Sequence, residues 1–214
     1  MRAVRKSSRR FPAVELDVRR CRTGELVVFH DETVDRVTDG TGSVAAMDWN
    51  RLRSLEVLES GERIPRLSEA LAAIPSDVSV QVELKQLGVA ADAVAAIAAA
   101  DVDARVTSFL PSALAEVRDR NPELPLGYLF GESVGVETGL ATAVALGCDT
   151  LHPHSELCLE TDVVDAAHAA GMDVVAWAAD DDETFERLRA AGVDGATADD
   201  WPRTTEELGP IAAD

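Results

Sequence analysis

The feature that most constrains this chain is a beat that runs from residue 78 to near its end. Short apolar runs of strand length alternate with segments of helical period, without interruption. Segments 78–84, 105–109, 126–130, 149–152, 172–178 and 193–197 read as strands. Between them, 90–100 reads as an Ala-rich helix and 111–120 as a helix with Pro111 in its first turn. Segment 138–146 is a helix closed by Gly147, 160–170 one closed by Gly171, and 181–191 an acid-capped helix ended by Gly192. Strands joined through helices must run parallel. The expected fold is therefore α/β: a βα (TIM-type) barrel, with a doubly wound open sheet as the alternative. No shift in composition marks a second domain, so residues 1–214 read as one domain.

The head of the chain breaks the beat. Segments 13–18 and 26–30 read as strands, and seven residues separate them, too few for a helical crossover. They form a hairpin, and a two-residue turn at Thr23-Gly24 sets Asp17 opposite His30. Glu15 and Asp17 lie two apart and share a face, so Glu15, Asp17 and His30 are expected to converge. A polar, Gly-rich stretch follows, and 68–74 reads as a short helix.

Charge excludes some classes of function. Against 39 acidic residues stand 20 basic ones, a net charge of −19. A nucleic-acid binder or a protein docked on anionic lipid needs a basic face. The basic start (Arg2, Arg5, Lys6, Arg9, Arg10) reads as a solvated helix face. It lacks the apolar stretch of a signal peptide, and no apolar run is long enough to span a membrane, so a cytoplasmic protein is expected. Only Lys6 and Lys85 are lysines, against 18 arginines, and with the acidity this resembles adaptation to a salt-rich cytoplasm. Cys21, Cys148 and Cys158 are too few and too widely spaced for a disulfide framework or a zinc site, and read as small buried thiols.

Two short motifs carry chemistry. Glu15-Leu16-Asp17 puts two carboxylates on one face of an apolar strand, and Val82-Glu83-Leu84-Lys85 ends another strand with a Glu and a Lys two apart. At the C-terminal ends of barrel strands, Glu15, Asp17 and Glu83 would form an oxygen-rich site for a hard divalent ion, Mg²⁺ or Ca²⁺. Lys85 would meet an anionic substrate oxygen. The same pattern also fits solvated strand-end charges with an ordinary Glu–Lys pair. His30 beside two carboxylates suits a proton shuttle.

The ordered set of motifs resembles the glycerophosphodiester phosphodiesterase family. The resemblance rests on Glu15-Leu16-Asp17-Val18, Gly24 and Val27-Val28-Phe29-His30-Asp31. It continues through Val34, Arg36, Thr38, Gly40, Gly42 and Val44, then Ile64-Pro65 with Leu67, then Val82-Glu83-Leu84-Lys85. Ser108-Phe109, Val175-Ala176-Trp177 and Gly192-Val193-Asp194-Gly195 with Asp199 complete it. It implies a βα barrel that hydrolyses glycerophosphodiesters to an alcohol and glycerol phosphate. It makes Glu15, Asp17 and Glu83 metal ligands, His30 one of two acid/base histidines, Lys85 a phosphate contact, and Trp177 a wall near the glycerol end. For Trp177, plain core packing is the alternative.

The family's opening His-Arg-Gly and Glu-Asn-Thr motifs do not occur in this sequence. The expected barrel therefore lacks its first strand and most of its first helix, and the site lacks its second acid/base histidine. Seven barrel strands with a hairpin arm leave open edges, which makes self-association plausible. The upstream strand could be restored by an earlier start or filled by another segment, or the chain could be shortened and inactive. His152 lies at a strand end but reads as structural, and His168 as surface-exposed. The expectation is an impaired metal-dependent phosphodiesterase acting on a small diester. The alternatives are a non-catalytic metal- or phosphate-binding remnant and a related enzyme acting on phospholipid-type diesters.

Overall fold

The structure is a computed structural model that describes residues 1–198; Asp199 of the C-terminal motif lies outside the described residues. The described residues divide into two compact units, Met1–Val106 with Ala115–Leu124, and Thr107–Leu114 with residues 125–198.

The first unit opens with α1 (Arg2–Ser7), which buries Val4 and leaves its arginines in water, as expected of a solvated helix face. Strand β1 (Ala13–Arg20) follows and pairs on one side with antiparallel β2 (Leu26–Val28). After β2 come α2 (Trp49–Leu52), a two-strand ribbon β3 (Glu56–Val57) and β4 (Glu62–Arg63), and α3 (Leu67–Leu71). Strand β5 (Ser79–Leu84) pairs parallel with β1 on its other side. Helix α4 (Ala90–Ala100), strand β6 (Ala104–Ser108) and helix α5 (Pro111–Arg120) complete the head of the alternating pattern.

The hairpin differs from expectation by one residue, with large consequences. Cys21 N donates to Glu25 O and Gly24 N donates to Cys21 O, each at 3.0 Å, and Gly24 sits at φ +103°. The loop therefore holds three residues, Arg22 to Gly24, with glycine in the left-handed position that such a loop requires. Pairing becomes Val18 with Val28 and Arg20 with Leu26. Asp17 faces Phe29, whose N–H donates to Asp17 O at 2.9 Å, and not His30 as a two-residue turn dictates. A one-residue slip exchanges the faces of every side chain on the arm.

The polar stretch after β2 is more ordered than its composition suggests. Val34, Val44, Leu52, Leu55 and Ile64 pack with Cys21, Val27 and Phe29 into a small core of their own. Its apolar residues come from short elements and the turns between them at irregular intervals, so no period announces them.

In the second unit, β7 (Leu126–Phe130), β8 (Thr150–Pro153), β9 (Asp173–Trp177) and β10 (Gly195–Thr197) pair in parallel in that order. All five residues of β7 are buried, as a strand covered on both faces demands. Helix α6 (Val136–Leu146) is closed by Gly147 at φ +63°. The single helix expected over 160–170 is two: α7 (Ser155–Glu160), begun by His154, and α8 (Val163–Ala169), separated by Thr161 in extended backbone. The β-branched Thr161 turns its hydroxyl to Leu157 O at 2.5 Å and ends α7. Helix α9 (Asp182–Ala190) is capped by Asp181, whose carboxylate accepts from Thr184 N at 2.8 Å. Cys21, Cys148 and Cys158 are free and buried. No helix among the described residues is long and apolar enough to cross a membrane.

Candidate active site

Period-two alternation builds the site. Along β1, Val14, Leu16 and Val18 are buried on one face, which leaves Glu15 and Asp17 on the other. Along β5, Val80, Val82 and Leu84 do the same, which leaves Gln81 and Glu83. The parallel register sets Asp17 beside Glu83 and Glu15 beside Gln81. Glu15, Asp17 and Glu83 therefore converge, and each offers a carboxylate oxygen within 4.8 Å of the other two.

Lys85, two residues past Glu83, shares that face. Its Nζ lies 2.9 Å from Asp17 Oδ1 and 2.5 Å from Glu83 Oε1. These side chains are only 9–19% exposed, so the charges interact through poorly screened surroundings. Burial pushes the Glu83 carboxyl above the usual carboxylate range, and the Lys85 ammonium offsets only part of that shift. Burial alone would lower Lys85, but the carboxylates of Asp17 and Glu83 more than compensate and hold it above the usual lysine range.

This donor set fits a hard divalent cation. Three carboxylates against one ammonium leave two negative charges in a half-buried site, which a divalent ion balances, and the donors are all oxygens.

His30 stands beside the trio without joining it. Its ring is 62% exposed, and its charge reaches Glu83. Its Nδ1 lies 2.6 Å from Asp31 Oδ1. Arg36 grips Asp31 with two contacts, Nε to Oδ2 at 2.6 Å and Nη2 to Oδ1 at 2.9 Å. Asp31 and Arg36 had been singled out only as pieces of a motif. The signal that could have assigned them is the adjacent His-Asp pair, since a carboxylate next to an imidazole is the usual way to orient it.

Trp177 belongs to the second unit. Its Nε1 donates to His152 O at 3.1 Å and to Phe130 O at 3.3 Å. The rings of Phe109 and His154 meet it edge-on, at centroid distances of 5.0 and 4.7 Å. The indole is thus half-buried and held rigid. His152 is fully buried, with Nε2 2.9 Å from Thr150 Oγ1, which is a structural position. His168 is exposed and pairs with Asp194 at 2.8 Å. Glu132, His154 and Glu156 form a second group whose donor atoms lie within 4.8 Å of one another. The sequence reading did not anticipate it, because Glu132 follows β7 while His154 and Glu156 lie at the start of α7, far along the chain.

A carboxylate trio on adjacent parallel strands, with a lysine and a histidine beside it, suits an α/β protein that holds a hard cation next to an anionic ligand. Comparison with known proteins makes the class specific. The model of the glycerophosphoryl diester phosphodiesterase family matches residues 3–202, and the chain belongs to that family. It is 32% identical over 209 residues to a glycerophosphodiester phosphodiesterase of Caldanaerobacter subterraneus subsp. tengcongensis, covering 91% of this chain and 84% of that one. It is also similar to the structure of a phosphodiesterase from Oleispira antarctica in complex with its product sn-glycerol-3-phosphate (TM-score 0.81, 25% identity, 92% of this chain and 85% of that chain). A third relative is the glycerophosphodiester phosphodiesterase of Thermotoga maritima (TM-score 0.71, 26% identity, 87% and 80% coverage). The fold is accordingly the TIM-type α/β fold of this family, as expected from the alternating pattern.

Proposed function

We propose that this chain hydrolyses glycerophosphodiesters to an alcohol and glycerol phosphate, with Glu15, Asp17 and Glu83 holding a Mg²⁺ or Ca²⁺ ion. The observation that carries the reading is the parallel register that places Asp17 beside Glu83 and gathers three carboxylates within 4.8 Å. Bound there, the ion would supply Lewis-acid polarisation of the phosphoryl group. Lys85 contributes a fixed positive charge among the carboxylates and steadies the anionic diester. His30, exposed at the rim of the trio, exchanges a proton with the leaving or entering oxygen.

His30 is the only histidine of the first unit. Were the second acid/base histidine lacking, the transfer it makes would be lost, at about 10²–10⁴-fold in rate. Adding an N-terminal segment that carries His-Arg-Gly is expected to raise turnover.

Calorimetry with MgCl₂ and CaCl₂, together with release of glycerol phosphate from glycerophosphocholine, tests the reading. Cation binding with cation-dependent turnover is the expected result. Binding of neither ion ends the proposal, and binding without hydrolysis, even in the extended chain, identifies a non-catalytic member.

A further inference from the structure

An imidazole as exposed as that of His30 turns freely in water unless something holds it, and here it is held from both ends. Arg19 Nε donates to the His30 backbone oxygen at 2.8 Å, which fixes the strand end that carries the ring. Asp31 Oδ1 lies 2.6 Å from Nδ1, and the Arg36 fork grips both Asp31 oxygens, a geometry that fixes a carboxylate in plane as well as in place. An ionised carboxylate can only accept, so Nδ1 carries the hydrogen and Nε2 is left as the proton-exchanging atom.

We propose that Asp31, clamped by Arg36, is a positioning residue that sets the tautomer and direction of the His30 ring for proton transfer at Nε2. The proposal rests on the reading of His30 as the acid/base group. In the step concerned, a water oxygen bonds to phosphorus and the bond to the leaving oxygen breaks with its electron pair. The proton on Nε2 of the imidazolium joins that oxygen to give the alcohol. The proton released by the water restores the imidazolium, so one water is consumed in all. Asp31 stays ionised throughout and stabilises the charged ring. The charged groups held against the ring are Asp31 and, through it, Arg36, and the ring's charge also acts on the Glu83 carboxyl.

The test combines ring spectroscopy with kinetics, because a carboxylate that merely tethers the loop moves neither tautomer nor turnover. With ¹⁵N-histidine, the His30 signals are assigned by their loss in His30→Ala. In the wild type the neutral ring is expected to carry its hydrogen on Nδ1. Asp31→Ala abolishes that preference. The same variant lowers kcat by roughly ten- to a hundredfold, a part of the whole acid/base contribution of about 10²–10⁴, with KM little changed. Arg36→Lys retains more kcat than Arg36→Ala, and Asp31→Ala adds no loss on top of His30→Ala.

Ring signals unmoved by Asp31→Ala overturn the proposal, and so do moved signals with wild-type kcat. If the wild-type protein hydrolyses no diester, the proposed function fails on its own account. The spectra still decide the ring assignment: a tautomer lost in Asp31→Ala supports it, and an unchanged one overturns it.

Discussion

Each side chain of the carboxylate trio is costly by itself and tolerable only in company. Glu83 is buried to 7% exposure, and an ionised carboxylate there needs a positive partner. Lys85 is that partner, so Lys85→Met leaves Asp17 and Glu83 facing each other and should lower the unfolding free energy by about 3 kcal/mol in urea titrations. A divalent cation should restore part of the loss, because it binds only the folded state. Glu83→Gln should weaken Mg²⁺ or Ca²⁺ binding in calorimetry by roughly tenfold or more, since it removes one charged oxygen of three. The pair of Arg36 and Asp31 makes a separate prediction about acid. The Arg36 fork, helped by His30, holds the Asp31 carboxyl well below the usual carboxylate range. A depressed carboxyl contributes stability that is complete above the ordinary carboxylate range and disappears as pH falls through its folded-state value. The stability gap between wild type and Arg36→Ala, measured by urea at stepped pH, should therefore be widest near neutrality and close on acidification.

At the scale of elements, close fits decide more than propensity does. Helix α6 lies on β7 at Gly139, where a β-carbon would meet the Phe130 ring at 2.5–2.7 Å. Gly139→Ala is expected to cost about 1–3 kcal/mol through overpacking, read as a lowered thermal midpoint. Alternation made the strands legible: 126–130 and the helices over 90–100 and 111–120 form with the bounds expected of them. The arm over 26–30 stops at Val28, and its register moved by one. Nothing local in Thr23-Gly24 distinguishes a two-residue turn from a three-residue loop. The choice is made by neighbours outside the hairpin, where Thr23 Oγ1 accepts from Trp49 N at 3.0 Å and Arg22 N donates to Met47 O at 2.9 Å. The small core around Leu52 and Leu55 was hidden for a related reason, because residues gathered from short elements and the turns between them leave no period to read.

At the scale of the whole molecule, the net charge of −19 is a distributed strain. Like charge spread over the surface favours the expanded chain, and dissolved salt screens it. Raising KCl from about 0.1 M to about 1 M shortens the screening length from roughly 10 Å to roughly 3 Å and should raise the melting temperature. Charge-neutral sucrose in place of KCl separates screening from exclusion effects, since only the salt acts on charge repulsion.

The sequence by itself determined the period, and the period determined which residues share a face. Glu15 with Asp17, and Glu83 with Lys85, could each be placed together because two residues along a strand always return to the same side. It also determined the order of the strands from residue 78 onward and, through that order, their parallel sense. What only the tertiary structure decided were distances between segments far apart in the chain. That β1 lies against β5 with Asp17 beside Glu83 depends on many packing contacts summed over both strands, and no short motif encodes that sum. The same holds for His30, where a single extra loop residue moved the ring off the face of Asp17. The group that meets the ring is its own neighbour, Asp31, held in turn by Arg36. Local geometry repeats with a fixed period and can be read along the chain, whereas register is a cooperative choice and can be read only in the fold.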